Sequence, residues 1–161
     1  MSVDFDSKAK LPQGTELDVK EIGSKDKETY NAYRDMALDA LSGDKKGKVS
    51  SLELARFYDI SLLAGNGEVE PAKPVDVTID YDEKLSVPPK GKAHVVHFTE
   101  DEKTGEMVAD VLDQDSADFT ISKNRLQKVT FEADSFSVYA VVYTVDFEYE
   151  AEGEKYSYSL L

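Results

Sequence analysis

The chain has 161 residues, 33 acidic against 19 basic side chains, a net charge of −14 and no cysteine. Its length suits one domain able to bury roughly 70% of the unfolded surface, and a 40% hydrophobic fraction with seven Phe and nine Tyr excludes a disordered composition. The acidic surplus excludes nucleic-acid binding through the phosphate backbone and disfavours an anionic membrane, and the missing thiols exclude thiol catalysis, thiolate metal sites and disulfides.

Residues 1–14 are polar, carry no signal peptide or membrane span, and end in the turn signal Leu11-Pro12-Gln13-Gly14. An export signal is therefore expected outside this sequence. Thr15 to Ile22 alternates apolar and polar residues with period two, predicting a half-buried strand closed by Gly23-Ser24. Tyr30, Tyr33, Ala37, Leu38 and Leu41 fall at helical spacing, predicting one amphipathic helix capped by Ser24 or Asp26 and ended by Gly43. Lys45 to Ser51 reads as a charged loop. Leu52 to Leu63 is ambiguous, and a strand over Ala55–Leu63 is favoured because the tight turn Gly65-Asn66-Gly67 follows.

The remainder is β-rich. Val75 to Tyr81 alternates, Pro88-Pro89-Lys90-Gly91 turns, and Ala93 to Thr99 is a short apolar strand holding both histidines. Met107 to Leu112 pairs naturally with it across the charged turn Glu100–Glu106. Lys128 to Ala133 is a further strand, and a short turn leads into Ser135–Thr144, which is apolar on both faces as a central strand requires. Phe147-Glu148-Tyr149 and Lys155 to Tyr158 flank Glu152-Gly153-Glu154 in a hairpin pattern. Seven or more short strands with regular turns predict a mainly β fold: an antiparallel β-sandwich with one inserted amphipathic helix covering an end or an edge. Residues 1–144 are expected to form the sandwich module, and 145–161 a closing hairpin or the start of a next module.

Leu11 to Leu17, the acidic helix around Tyr30–Leu41, Arg56 to Ser61, Val69-Glu70-Pro71, Val75 to Ile79, Val95 to Phe98 and Phe131 to Thr144 together resemble a module of large wall-anchored surface proteins of Gram-positive gut bacteria. These adhesin-like proteins commonly avoid cysteine. The resemblance implies an extracellular, structural or adhesive role. Its partners would be neighbouring modules of the same protein and a host protein or glycan, with no cofactor and no membrane contact by this module. Two short motifs, Leu11-Pro12-Gln13-Gly14-Thr15 and Ser135-Phe136-Ser137, are similar to the β-sandwich shared by zona-occludens proteins, netrin receptors and ankyrins, whose relatives include the function-to-find domain of inflammasome sensors. Some of those members cut themselves between the Phe and the Ser. The carry-over puts a scissile bond at Phe136–Ser137 with Ser137 as nucleophile. The sequence departs from cleaving members in having Ser135 before Phe136, and it assigns no supporting acid.

For that chemistry Ser137 needs a nearby base and would gain from a strained turn. His94 and His97 are three apart on a strand and so point to opposite faces. At most one can face the Ser137 strand, and the resemblance carried by Val95-Val96-His97-Phe98 makes His97 the candidate base. The plainer reading makes Ser137 an ordinary strand residue and His97 a packed imidazole. Asp113 to Asp118 clusters carboxylates but lacks a calcium-loop pattern, and Ser42 to Glu53 mimics one with Lys46 at a ligand place, so no metal is expected. Asn31, Asn66 and Asn124 sit on a helix surface or in loops, which argues against an isopeptide bond. A pure binding module would place its ligand contacts near Gly65 and Asp101.

Overall fold

The computed structural model describes residues 1–23, 25–42, 48–65 and 67–148. Its strands are β1 (Ser2–Asp4), β2 (Glu16–Ile22), β3 (Lys48–Ala64), β4 (Gly67–Val69), β5 (Val75–Ser86), β6 (Lys92–Glu100), β7 (Met107–Val111), β8 (Ala117–Ser122), β9 (Arg125–Ala133) and β10 (Val138–Glu148), with one helix, α1 (Lys27–Ser42). One sheet runs β1-β5-β9-β8. The other runs β2-β3-β10-β6-β7, with β4 added to β3, and every pairing is antiparallel. Over the described residues the protein is thus mainly β and sandwich-like, with a single α-helix.

Two hydrophobic clusters explain why β10 is apolar throughout. Tyr139, Val141 and Tyr143 face the inter-sheet core with Val77, Leu126, Val129 and Phe131. Val138, Ala140 and Val142 face the opposite side, where α1 packs. The helix therefore lies on the outer face of the second sheet rather than over an end or an edge. Tyr30 and Tyr33 set it there by edge contacts with Phe57 and Phe98, at 5.2 and 4.9 Å between ring centres. Each of those fully buried phenylalanines contributes about 1.5–3 kcal/mol of burial. Asp26 precedes the helix and accepts from the Thr29 amide at 3.4 Å; Ser24 and Gly43, the other expected boundary residues, lie outside the described residues.

β3 is longer than expected: Lys48–Ser51, read as loop, continue the ladder against Asp146–Glu148 and Val145 of β10. β10 accordingly runs through the expected module boundary at residue 144, while the rest of the hairpin pattern, from Tyr149 on, lies outside the described residues. Two strands, β1 and β8, were not among those expected, although Ala117–Ser122 alternates apolar and polar residues with period two. β8 joins β9 through Lys123-Asn124, both with positive φ (53° and 60°), the backbone that a two-residue hairpin turn demands. Asn124 is thereby a turn residue and Asn31 an exposed helix residue.

The expected strand over Ser135–Thr144 begins only at Val138. β9 belongs to one sheet and β10 to the other, so Asp134–Ser137 must carry the chain across the sandwich, a spacing of about 10 Å. The Phe136–Ser137 bond lies in that crossing.

Candidate functional site

Three elements converge on the crossing. β6 lies beside β10 with Tyr139 opposite His97 and Val138 opposite Phe98. Alternation puts His97 on the inner face with Val95, and His94 on the other face with Val96 and Phe98. On β3, β2 occupies one flank over Phe57–Leu63, while β10 and β4 occupy successive stretches of the other. Glu70, the residue after β4, is thereby delivered to the start of β10.

The resulting contacts hold the crossing at several points. His97 Nε2 lies 2.7 Å from Ser137 Oγ, and Ser137 Oγ also lies 2.7 Å from the Phe98 carbonyl oxygen. A carbonyl only accepts, so the hydroxyl proton goes to Phe98 when His97 carries its proton on Nε2 and donates to Oγ. With the ring proton on Nδ1, the hydroxyl can donate to Nε2 instead, the arrangement that general-base chemistry needs. The Ser137 carbonyl accepts from the Ile60 amide at 3.0 Å. The Phe136 amide donates to Glu70 Oε2 at 2.9 Å, and the Tyr139 hydroxyl donates to the Ser135 carbonyl at 2.6 Å. The Tyr139 ring stacks on His97, 4.0 Å away and 5° from parallel.

Electrostatics set the protonation states. Burial pushes the His97 imidazole below its ordinary value, partly opposed by the negative charges of Asp134 and Asp110, so the neutral ring prevails at neutral pH. Burial, with Asp134 and Glu70, pushes the Tyr139 phenol up and keeps it a donor. The Glu70 carboxyl is also raised, first by desolvation and then by Glu68 and Asp134, against the lowering effect of the Phe136 amide. Glu70 is solvent-exposed as a residue, so water screens much of that effect. A cleft of about 390 Å³ reaches His97 and Tyr139 between Asp110 and Asp134; Ser137 does not line it.

The three residues read from the sequence, Phe136, Ser137 and His97, are thus brought together, with Phe136 only 8% exposed and His97 likewise 8%. Backbone strain is another matter. Among the described residues, positive φ outside glycine occurs at Lys10, Lys90, Lys123 and Asn124, and the crossing has none. Glu70, Asp134 and Tyr139 were not legible as site residues. Tyr139 had a weak signal, since it sits two residues after Ser137 on the same strand face. Glu70 had none, being 66 residues from its partner. In the alternative ligand loops, Gly65 ends β3 with φ of 60°, and the Asp101 carboxylate is engaged within its own turn by the Lys103 and Thr104 amides at 2.8 and 3.3 Å. No protein-family model, curated protein or solved structure matches this chain.

Proposed function

We propose that this chain is an extracellular β-sandwich module of a bacterial cell-surface protein, with a structural or adhesive role, that cuts its own backbone between Phe136 and Ser137. The observation that carries the cleavage reading is the 2.7 Å contact between His97 Nε2 and Ser137 Oγ at the inter-sheet crossing. The surface setting rests on the resemblance of the sequence motifs.

The chemistry is an N-to-O acyl shift. Ser137 Oγ attacks the Phe136 carbonyl carbon while neutral His97 takes the hydroxyl proton. The carbon–nitrogen bond to Ser137 breaks, and the nitrogen receives that proton from His97. Water then hydrolyses the ester, leaving the Phe136 carboxylate, the Ser137 hydroxyl and a new amino terminus at Ser137. Glu70 and Tyr139 fix the backbone on the upstream side, at the Phe136 amide and the Ser135 carbonyl, and the Ile60 amide fixes the downstream side. They are positioning residues.

A second reading, an uncut stalk or ligand-binding domain, is favoured by one observation. The Ser137 hydroxyl has a satisfied resting arrangement against the Phe98 carbonyl, in a crossing without left-handed torsions.

Intact mass and denaturing electrophoresis of the purified protein, beside Ser137→Ala and His97→Ala, separate the two. Pieces meeting at Phe136–Ser137, absent from Ser137→Ala and strongly reduced in His97→Ala, are the expected result. One uncut chain after long incubation with hydroxylamine, which intercepts esters, leaves the second reading.

A further inference from the structure

A second cleft, about 530 Å³, opens where β2, β3 and β5 meet, and charged and tyrosine side chains line it beside apolar ones. Alternation puts Leu17, Val19 and Glu21 of β2, and Leu54, Arg56 and Tyr58 of β3, on the inner face. Such rows fill the interior of a sandwich and are apolar. Here Arg56 and Glu21 break them, 3.5 Å apart with side chains 42% and 48% exposed. Inward-facing charge on an edge strand discourages edge-to-edge pairing, which accounts for Glu21 on β2. On β3 the pairing with β2 ends at Phe57, so Arg56 stands just beyond it, with Val141 of β10 as its ladder partner.

Two further features shape this cleft. The hydroxyls of Tyr58 and Tyr81 meet at 2.8 Å, tying the two sheets together at its floor. β5 also leaves register with β9 beside it: Asp80 pairs with Lys128 and Leu85 with Leu126, so the stretch Tyr81–Lys84 stands against Gln127 alone. Asp82 and Glu83, inside that bulge, line the cleft. Bulges of this kind re-aim side chains and concentrate next to binding sites.

We propose that this cleft binds a neutral oligosaccharide. Carboxylates only accept hydrogen bonds, the guanidinium only donates, and tyrosine hydroxyls do both. Together they match a ligand whose hydroxyls both give and receive. Leu17, Val19 and Leu85 supply an apolar surface for the carbon face of a sugar ring. The surplus of carboxylates, Glu21, Asp80, Asp82 and Glu83, rejects anionic glycans, and Arg56 in the same wall opposes a simple cation. The inference is independent of cleavage at Phe136–Ser137, which lies on other elements.

The test is an array of neutral oligosaccharides of glucose, galactose, mannose, xylose and N-acetylglucosamine, with sialylated and sulfated glycans and spermidine as competing classes. Hits are followed by calorimetric titration of the whole protein, Arg56→Ala, Tyr81→Phe and, as a control in the β6–β7 turn, Glu102→Ala. The expected result is binding of a neutral glycan, weakened at least tenfold in Arg56→Ala and several-fold in Tyr81→Phe, and unchanged in Glu102→Ala. Circular dichroism and thermal melting show that each variant is folded. Absence of any neutral hit, binding confined to acidic glycans or spermidine, or equal affinity in a folded Arg56→Ala protein would overturn the proposal.

Discussion

Replacing Tyr139 with Phe isolates one atom of the crossing. The ring keeps its stack on His97 at 4.0 Å and its contact with Phe131 at 4.8 Å. Only the hydroxyl that donates to the Ser135 carbonyl at 2.6 Å is lost. A net hydrogen bond is worth about 1 kcal/mol, and leaving a part-buried acceptor unpaired raises the cost to about 1–3 kcal/mol. At about 2 kcal/mol the melting temperature of a chain this size falls by about 4–8 °C, since each kcal/mol moves it about 2–4 °C. The Ser135 carbonyl is one peptide unit upstream of the bond under attack, so its release also loosens the near-attack geometry. A displacement of about 1 Å can cost as much as ~100-fold in rate, and a slowing of at least about tenfold is expected where the wild-type protein cleaves. Differential scanning calorimetry and timed denaturing gels read the two effects. A Tyr139→Phe protein that melts within about 1 °C of wild type would refute the hydrogen-bond argument. One that melts lower but cleaves at the wild-type rate would remove Tyr139 from the positioning set.

Burial holds His97 below its ordinary value of about 6.5, so the cleavage rate should rise with pH through that lowered value and level off above it; a rate that rises about tenfold between pH 7 and 8, as a base titrating above that range would give, would exclude His97 as the base. The same shift makes folding stability complete above about pH 6.5 and progressively lost as pH falls through the folded value, because the unfolded chain binds the proton more tightly; urea midpoints at pH 5 and 7 check this. Glu70→Ala should slow cleavage while Glu70→Gln, which keeps an acceptor for the Phe136 amide, should retain most of it, as timed gels would record. Gly91→Ala places a methyl group into the Tyr143 ring and 2.5 Å from the Thr144 carbonyl, where Tyr143 already joins the Gly91 amide to the Pro88 carbonyl. A loss of about 1–3 kcal/mol is expected, read as a lower urea midpoint at unchanged slope.

Local periodicity carried most of the fold. β10 was legible because its apolar residues serve two clusters at once, and α1 because its tyrosines recur at helical spacing. The start of β10 differs from the expectation for a physical reason: Phe136 extends the apolar run by one more large residue, but a chain changing sheets cannot pair while it crosses. Where the helix docks was also hidden, since its apolar stripe specifies a buried face without naming the sheet that covers it. At the site, strand parity allowed only one histidine to face Ser137, and the motif resemblance, not parity, singled out Ser137 and His97. Glu70 was not legible, because its approach depends on β4 and β10 sharing one flank of β3, a consequence of long-range pairing that no local pattern encodes.

The position of the crossing decides what a cut would do to the molecule. Everything from Ser137 onward begins with the strand that lies between β3 and β6, paired to β3 over Val138–Glu148 and to β6 over Val138–Thr144. Its inner residues Tyr139 and Val141 and its outer residues Val138, Ala140 and Val142 are buried in both clusters. Removing it would expose both cores and leave two rows of backbone groups unpaired, a far larger loss than one peptide bond supplies to the folded state. Cleavage would therefore leave the native fold assembled, its mass in native solution changed only by the water consumed, with the covalent link replaced by strand pairing. Its consequence would lie in mechanics: a pull on the chain beyond residue 148 would load the β10 ladders in place of the Phe136–Ser137 peptide. Native chromatography is accordingly blind to the event, whereas denaturing gels and single-molecule pulling, comparing wild type with Ser137→Ala, would register it. The cut protein should part in two at the force that strips β10, and the Ser137→Ala chain should extend without parting.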